Sequence, residues 1–549
     1  MLPVVLLLAV AQPDSDAALR SVQLAQQAFE SKRGFLAPRT LGSSHGGVCD
    51  ERIGRFCYWY DGDAPPPPPE PDEIKQARRH LLDLLDSAAA LLPGDWWIAG
   101  QRVRYLVESD RLTDALAAAH ACRADRWWCE ALEAFARHAA GDDAAADTVY
   151  ATALADMPAA QRCRWTDLTP LLDAPLRRRF SRLDCASRAA FSAHLWWLAQ
   201  PLLSRPGNDR RVEHYARLTM VRMLERAGSP WASPLADDLR ELTLRYGWPI
   251  AWTGALDPEF DARDVSGHER LPAFHFFPST DAELEPGSSP WDISPLRPHE
   301  RYAPLYAKTF ETLTPDITVF RRGESTLVVV AYDLSRDTVW RQQPDLSRVV
   351  VLARDEQLPP VLARAGDSNR KGVMVAQAPW PATVVGFEVT QPGTLHVGRA
   401  RLALAQRTQS LVGTSGLLVF DPVDSVPGDL SAVLSLAHGS ATVAAGGRIG
   451  LYWEVYGLTP GEPVETQVSV TPRHTGLLRR VGSWFGLGKR SRETELAWHE
   501  STDPETGMIH RAVIVDVSSL DPGRYGVSVT IAARGRNVTT ARELEIVRP

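Results

Sequence analysis

The chain has 549 residues, a formal net charge of −7, 44% hydrophobic and 23% charged residues. These are the proportions of ordinary globular protein, over a length that accommodates about three or four domains. The mildly acidic balance lacks the basic face of a nucleic-acid binder, so no nucleic-acid partner is expected.

Residues 1–11 read MLPVVLLLAVA and close on Ala9-Val10-Ala11. An apolar run of that length before a small-residue site predicts a signal peptide, with mature protein from Gln12. The run is too short to span a bilayer, and no later segment is apolar enough to do so. Six cysteines lie at 49, 57, 122, 129, 163 and 185, all in the first 185 residues. An even count in an exported chain favours disulfides over metal, and sequence proximity suggests Cys49–Cys57, Cys122–Cys129 and Cys163–Cys185. No C-x-x-C pair and no haem motif occurs, and no cofactor is expected.

Residues 16–31 carry apolar positions at helical spacing. A Gly- and Cys-containing loop follows over 40–63, and then five prolines, Pro65–Pro69, form a stiff extended segment. Asp72 is placed to cap a helix over 73–92. Further helices are predicted over Trp96–Val107, Leu112–Cys122, Trp127–Ala140, Phe191–Leu198 and Arg210–Arg226. Glu241–Tyr246 reads as a first strand, and 253–300 as a long irregular connection. Strands then dominate, over 325–334, 347–354, 372–378, 382–390 and 394–404. A second set follows over 416–421, 447–458, 464–472, 510–518, 523–533 and 541–547.

Gly141-Asp142, Ala146, Tyr150, Ala153-Leu154 and Pro158 sit at the spacing of the second helix of a tetratricopeptide repeat. The helical domain therefore resembles that hairpin type. Leu520-Asp521-Pro522-Gly523-Arg524-Tyr525 before alternating valines resembles the tyrosine corner of immunoglobulin- and fibronectin-like sandwiches. The expected fold class is thus α then β: a helical-hairpin, tetratricopeptide-like domain followed by two immunoglobulin/fibronectin-like β-sandwiches. The expected divisions are a signal peptide (1–11), an N-terminal helix and Cys loop (12–64), a Pro-rich linker (65–71) and a helical domain (72–236). A strand with an irregular connection (237–310) and two sandwiches (311–408 and 409–549) complete the chain.

Trp197, Pro201, Pro206, Asn208, Glu213, Tyr215 and Arg217, followed by Asp237, Arg245, Tyr246, Gly247 and Pro249, form the densest cluster of specific residues. This arrangement resembles the GWxTD domain of secreted bacterial proteins. The Gly-Trp-x-Thr-Asp turn itself is absent: around Trp231 the chain reads SPWASPLADDLREL. The resemblance implies export to the periplasm or outer envelope of a bacterium and carries no catalytic role.

No metalloprotease, nucleophile-elbow, phosphate-loop or dinucleotide motif occurs. The ligand or partner candidates are Asn208, Arg211, Glu213, His214, Asp237, Asp238, Arg245, Tyr246 and Trp248. Asn208 reads either as an N-cap or as part of an anion site. Glu213, His214, Asp237 and Asp238 would be the acid–base groups of an enzyme. Arg245 is expected to pair with Asp237, Asp238 or Glu213, and Gly247 to make a tight turn at the strand end, where replacement is costly if its φ is positive. His268, Glu269 and His275 read as a packed loop or a metal or proton-shuttle group. Tryptophan pairs at 96–97, 127–128 and 196–197 read as interhelical core or as a sugar-stacking surface. Residues 477–490 combine four cations with Trp484 and Phe485, the pattern of a peripheral membrane or partner contact. The expected role is a non-catalytic envelope protein that engages a protein partner. The alternatives are a carbohydrate- or peptidoglycan-binding protein and a hydrolase centred on 208–249.

Overall fold

The computed structural model describes residues 13–40, 49–60, 65–255, 265–278, 282, 291, 293–294, 299–404, 412–473, 494–503, 505, 507–533 and 535–548. Residues 1–11, read as a leader, and the 477–490 segment with Trp484 and Phe485 lie outside the described residues. The described residues within Met1–Thr280 and Pro290–Lys308 form one compact unit, and those within Asp281–Ser289 and Thr309–Pro549 a second.

The first unit is mainly helical. It opens with α1 (Pro13–Leu36), β1 (Arg39–Thr40) and the hairpin β2 (Glu51–Ile53) and β3 (Phe56–Tyr58). Then come α2 (Asp72–Leu91), α3 (Trp96–Glu108), α4 (Leu112–His120), α5 (Arg126–Ala139) and α6 (Asp143–Asp156). The run continues through α7 (Ala159–Trp165), α8 (Ala174–Phe180), α9 (Cys185–Ala199), α10 (Asp209–Leu224) and α11 (Asp237–Tyr246). Two strands, β4 (Ala251–Ala255) and β5 (Val265–His268), close it in a small sheet of order β1-β4-β5.

Local chemistry sets the helix starts. Asp95, Asp142, Asp173 and Asp184 each accept a backbone N–H from the first turn of the helix they precede. Asp72 does not do so; it is the first residue of α2, and the cap position falls on Pro71. The core gathers Trp97, Trp128, Leu132, Phe135, Tyr150, Val212 and Met220 from four helices. Trp97, Trp127, Trp128 and Trp196 are buried, so the tryptophan pairs contribute to the packed interior. Three disulfides are present: Cys49–Cys57, Cys122–Cys129 and Cys163–Cys185. Among the described residues no helix is long and apolar enough to cross a membrane.

The segment Glu241–Tyr246, expected as a strand, is the second half of helix α11. Leu242, Leu244 and Tyr246 alternate along the sequence, which suggested a strand. All three are buried together with Leu239, so the helix is covered on more than one side and lacks a single apolar stripe. Its limits follow from Asp237 and Asp238 in the first turn and Gly247, at φ +98°, after the last residue.

The second unit consists of β-sheets. One has five strands in the order Val361–Asp367, Leu346–Ala353, Val384–Thr390, His396–Ala403 and Thr309–Thr312, the last pair parallel. Another has three, in the order Lys371–Ala378, Ser325–Asp333 and Asp316–Arg322. Val330, Trp340, Val350, Val385 and Phe387 from both share one core. Further along, Arg448–Tyr456 pairs with Gly413–Thr414, Leu418–Phe420 and Ile509–Asp516. A last five-stranded sheet runs Thr442–Ala444, Arg536–Val547, Gly523–Ala533, Pro463–Pro472 and Thr494–Ser501. Leu451, Trp453, Val468, Val515 and Val529 fill the core of these two sheets. Tyr525 Oη donates to the Asp521 carbonyl at 2.7 Å, the contact that the 520–525 motif predicts.

Candidate functional site

Helix α10 carries the polar residues around which the site is built. Asn208 caps it: its Oδ1 accepts the Arg211 N–H at 3.0 Å, and its Nδ2 donates to the Trp196 carbonyl at 2.7 Å. Both ends of the amide are thus used within the fold. Arg211 pairs with Asp147 of α6 at 2.6 Å. One and two turns on, Glu213 and Arg217 are neighbours at helical i,i+4 spacing and bond at 2.6 Å.

Glu213 also meets His138 of α5 at 2.8 Å, and His138 meets Asp143 of α6 at 2.6 Å. Burial works against the imidazolium, but the bonds to Asp143 and Glu213 outweigh it and raise its pKa to about 10. Burial likewise disfavours the Glu213 carboxylate, yet Arg217 and His138 hold it well below the usual carboxylate range. Arg217 spends its remaining donors on three carbonyls, those of Leu244 (3.1 Å), Arg245 (2.7 Å) and Arg301 (2.6 Å). It thereby satisfies the C-terminal carbonyls of α11 and the irregular strand near Arg301.

Arg245 departs from the expected pairing. It bonds to Glu51 at 2.6 Å and Glu241 at 3.1 Å, not to Asp237, Asp238 or Glu213. The physical reason is the helical conformation of 237–246, which directs Arg245 onto Glu241, one turn back, and onto the β2–β3 hairpin. Tyr246 donates to the same Glu51 at 2.6 Å and stacks on Tyr58 with ring centroids 3.8 Å apart. Asp238 pairs with Arg55 at 2.7 Å, and Asp237 is exposed at the helix start. His214 is buried, its ring 5.0 Å from Trp196 and 5.5 Å from Tyr215. The acid–base set Glu213, His214, Asp237 and Asp238 is therefore not assembled at one point.

A cavity of about 530 Å³ opens beside Glu213 and Arg217. Phe135, Trp248 and Trp252 supply aromatic wall, and Pro67–Pro69 with Glu70 form part of the margin. Gly247 brings the backbone close: a Cβ there would lie 3.6 Å from Arg217 and 3.8 Å from Glu213. At one end sits a compact ion network. Arg33 bonds to Glu108 at 2.5 Å, Arg104 to Glu30 at 3.0 Å and to Glu108 at 2.8 Å, and Arg78 to Glu70. Burial opposes the Glu108 charge, but Arg33, Arg104 and Arg78 bring its pKa down to about 2.

At the other end lie Glu269 and Arg301. Burial pushes the Glu269 carboxyl up to about 7. The expected grouping of Glu269 with His268 and His275 does not form. His268 Nε2 bonds to Thr253 Oγ1 at 2.7 Å. His275 sits 3.0 Å from Glu300, which is bound by Arg210 at 2.7 Å and accepts the backbone N–H groups of Phe276 and Phe277. Sequence reasoning reached Glu213, Arg217, Tyr246 and Trp248 but missed His138, Glu300 and Arg301. The i,i+4 spacing signals the Glu213–Arg217 pair, whereas nothing local signals a histidine 75 residues upstream of its partner.

No protein-family model matches the chain, and the comparison with curated proteins found no match. Among solved structures the chain is similar to a red sea bream transglutaminase, at 10% identity over 43% of this chain and 31% of that one, with a TM-score of 0.14. It is also similar to a Salmonella alpha-2-macroglobulin reacted with methylamine, at 9% identity over 43% and 24% of the two chains, with a TM-score of 0.21. The match thus spans less than a third of either of those proteins.

Proposed function

We propose that this chain is a non-catalytic, exported bacterial envelope protein that holds an envelope-derived ligand, a soluble peptidoglycan fragment, in the cavity of its helical unit. The observation that carries this reading is the cavity itself. Its volume of about 530 Å³ falls in the range of small-molecule sites, and its wall combines tryptophan and proline faces with carboxylates and guanidinium groups. Flat apolar faces beside polar groups suit sugar rings and peptide stems. Three disulfides agree with an oxidising compartment. The chain is read as a divergent GWxTD member, with tetratricopeptide-like hairpins such as α5–α6 and two immunoglobulin-like sandwiches that present the helical unit to an envelope protein partner. Glu213 argues against the hydrolase alternative, because both of its oxygens are taken by His138 and Arg217.

The test is titration of the full chain with solubilised peptidoglycan fragments and with N-acetylglucosamine oligomers, followed by tryptophan fluorescence. Binding should change the emission, and Trp248→Ala should weaken it at least tenfold without changing the far-UV spectrum. Absence of binding, or identical binding by Trp248→Ala, would sink the reading.

A further inference from the structure

Resting on the reading of this cavity as a ligand site, we propose that its occupant carries both an ammonium and a carboxylate, as in a free amino acid or a short peptide with both ends unblocked, with Glu269 reading the ammonium and Arg301 the carboxylate. Charge matching along the cavity wall singles out these two groups. Arg33 and Arg78 are answered by Glu108 and Glu70, and Arg217 and His138 by Glu213 and Asp143. Asp110 and Arg270 are exposed, where water serves. Glu269 and Arg301 are what remains.

Arg301 is 1% exposed, yet among the described residues no carboxylate lies within 4.0 Å of it. Its Nη2 donates to the Ala273 carbonyl at 3.3 Å, while Nε and Nη1 meet no acceptor. Tyr58 and Tyr60, with rings 5.8 and 5.6 Å away, flank the guanidinium, and the neutral Tyr58 hydroxyl interacts with it without supplying a counter-charge. A cation kept bare inside a protein is costly unless something else completes it. Glu269 is the complementary case. Glu269 lines the cavity, is half-buried, and has no side-chain partner among the described residues. The two groups feel each other's field but stand too far apart to pair.

A ligand with one charge would satisfy one group and leave the other. A neutral sugar would satisfy neither charge. An ammonium and a carboxylate on one small molecule match both and bring no net charge into the cavity. The rise of the Glu269 pKa through burial agrees, since an arriving ammonium would restore the charge that burial suppresses. Phe135, Trp248 and Leu305 offer apolar wall for the side chain of such a ligand.

The experiment is calorimetric titration and thermal-shift measurement of the full chain with the free amino acids and a set of alanyl dipeptides. Each is run beside its N-acetylated and its C-amidated form, and beside N-acetylglucosamine oligomers. At least one free compound should bind, and blocking either end should weaken it at least tenfold. Glu269→Gln should lose binding at least tenfold while melting no lower than the parent at pH 8, because it removes a half-buried charge. Arg301→Lys should also lose binding, and Glu269→Gln keeps the test decisive if that variant misfolds. Equal binding of blocked and free compounds, or unchanged binding by Glu269→Gln, overturns the proposal. Glycan oligomers that bind where no amino compound does would overturn it and leave the cavity reading standing; no binding by any compound would end both.

Discussion

The helical and β units both bury arginine–carboxylate pairs, but they use them differently. In the β unit the backbone groups of each strand are paired by its neighbours in register, so arginines such as Arg322 and the buried Arg348 bond mainly to side chains and to only one backbone carbonyl each, beside a carboxylate that is exposed in one pair and an arginine that is exposed in the other. The Arg322 side chain is 33% exposed, and Asp367, the partner of Arg348, is 46% exposed. In the helical unit the stretches that close the cavity, around 244–252 and 299–303, are mostly without such neighbours. There Arg217, with a side chain 2% exposed, satisfies three carbonyls and one carboxylate at once. A buried arginine can therefore stand in for a missing strand, at the expense of needing its own charge balanced.

The sharpest way to break this contrast is to remove the two arginines. Arg217→Met should destabilise the helical unit by about 3–5 kcal/mol, because it leaves Glu213 and its share of buried carbonyls unmatched. Arg322→Met should cost only about 1 kcal/mol, since Glu454 keeps the hydroxyl donors of Tyr452 and Tyr456. Equal losses in urea unfolding would refute the distinction. Alkali gives a milder probe. The His138 pKa is raised from 6.5 to about 10, so its contribution is complete below pH 6.5 and is lost as pH climbs through about 10. Across that window stability should fall by up to about 1.4 kcal/mol per pH unit. Comparing unfolding midpoints with His138→Gln isolates this slope; a parent and variant that decline in parallel would remove His138 from the account. The smallest effect is expected in the β unit. Tyr525→Phe loses one hydroxyl bond to a backbone carbonyl and should cost about 1 kcal/mol by the same unfolding assay.

Features that depend on nearby residues were legible in the sequence. The disulfide partners are sequence neighbours, the helices of 16–31 and 73–92 carry local periodicity, and the tyrosine at 525 sits in its own short motif. Gly247 was read as a tight-turn glycine, and it has φ +98°. Where the reading failed, distance was the cause. Helix α11 was taken for a strand because its alternating apolar residues are buried on more than one side, which only tertiary packing decides. Arg245 was assigned a nearby acid, but its strongest partner, Glu51, lies 194 residues away. Of the two readings of His268, Glu269 and His275, the metal or proton-shuttle group rested on sequence proximity alone, and the fold gives His268 to Thr253 and His275 to Glu300 instead. Strands of few residues, such as Thr309–Thr312 and Thr442–Ala444, carry too little pattern to be seen and are recruited by the sheet they join.

The spacing of the bridges also bears on how the chain is made. The cysteines pair strictly in order, first with second, third with fourth and fifth with sixth, across separations of 8, 7 and 22 residues. A chain emerging amino end first can close each bridge before the next pair of thiols has appeared. No nested or crossed pairing has to be undone, so oxidative maturation needs an oxidant but little reshuffling. Closing short loops also leaves distant segments free to find their partners, which suits a fold whose deciding contacts, Arg245 with Glu51 among them, span so much of the sequence.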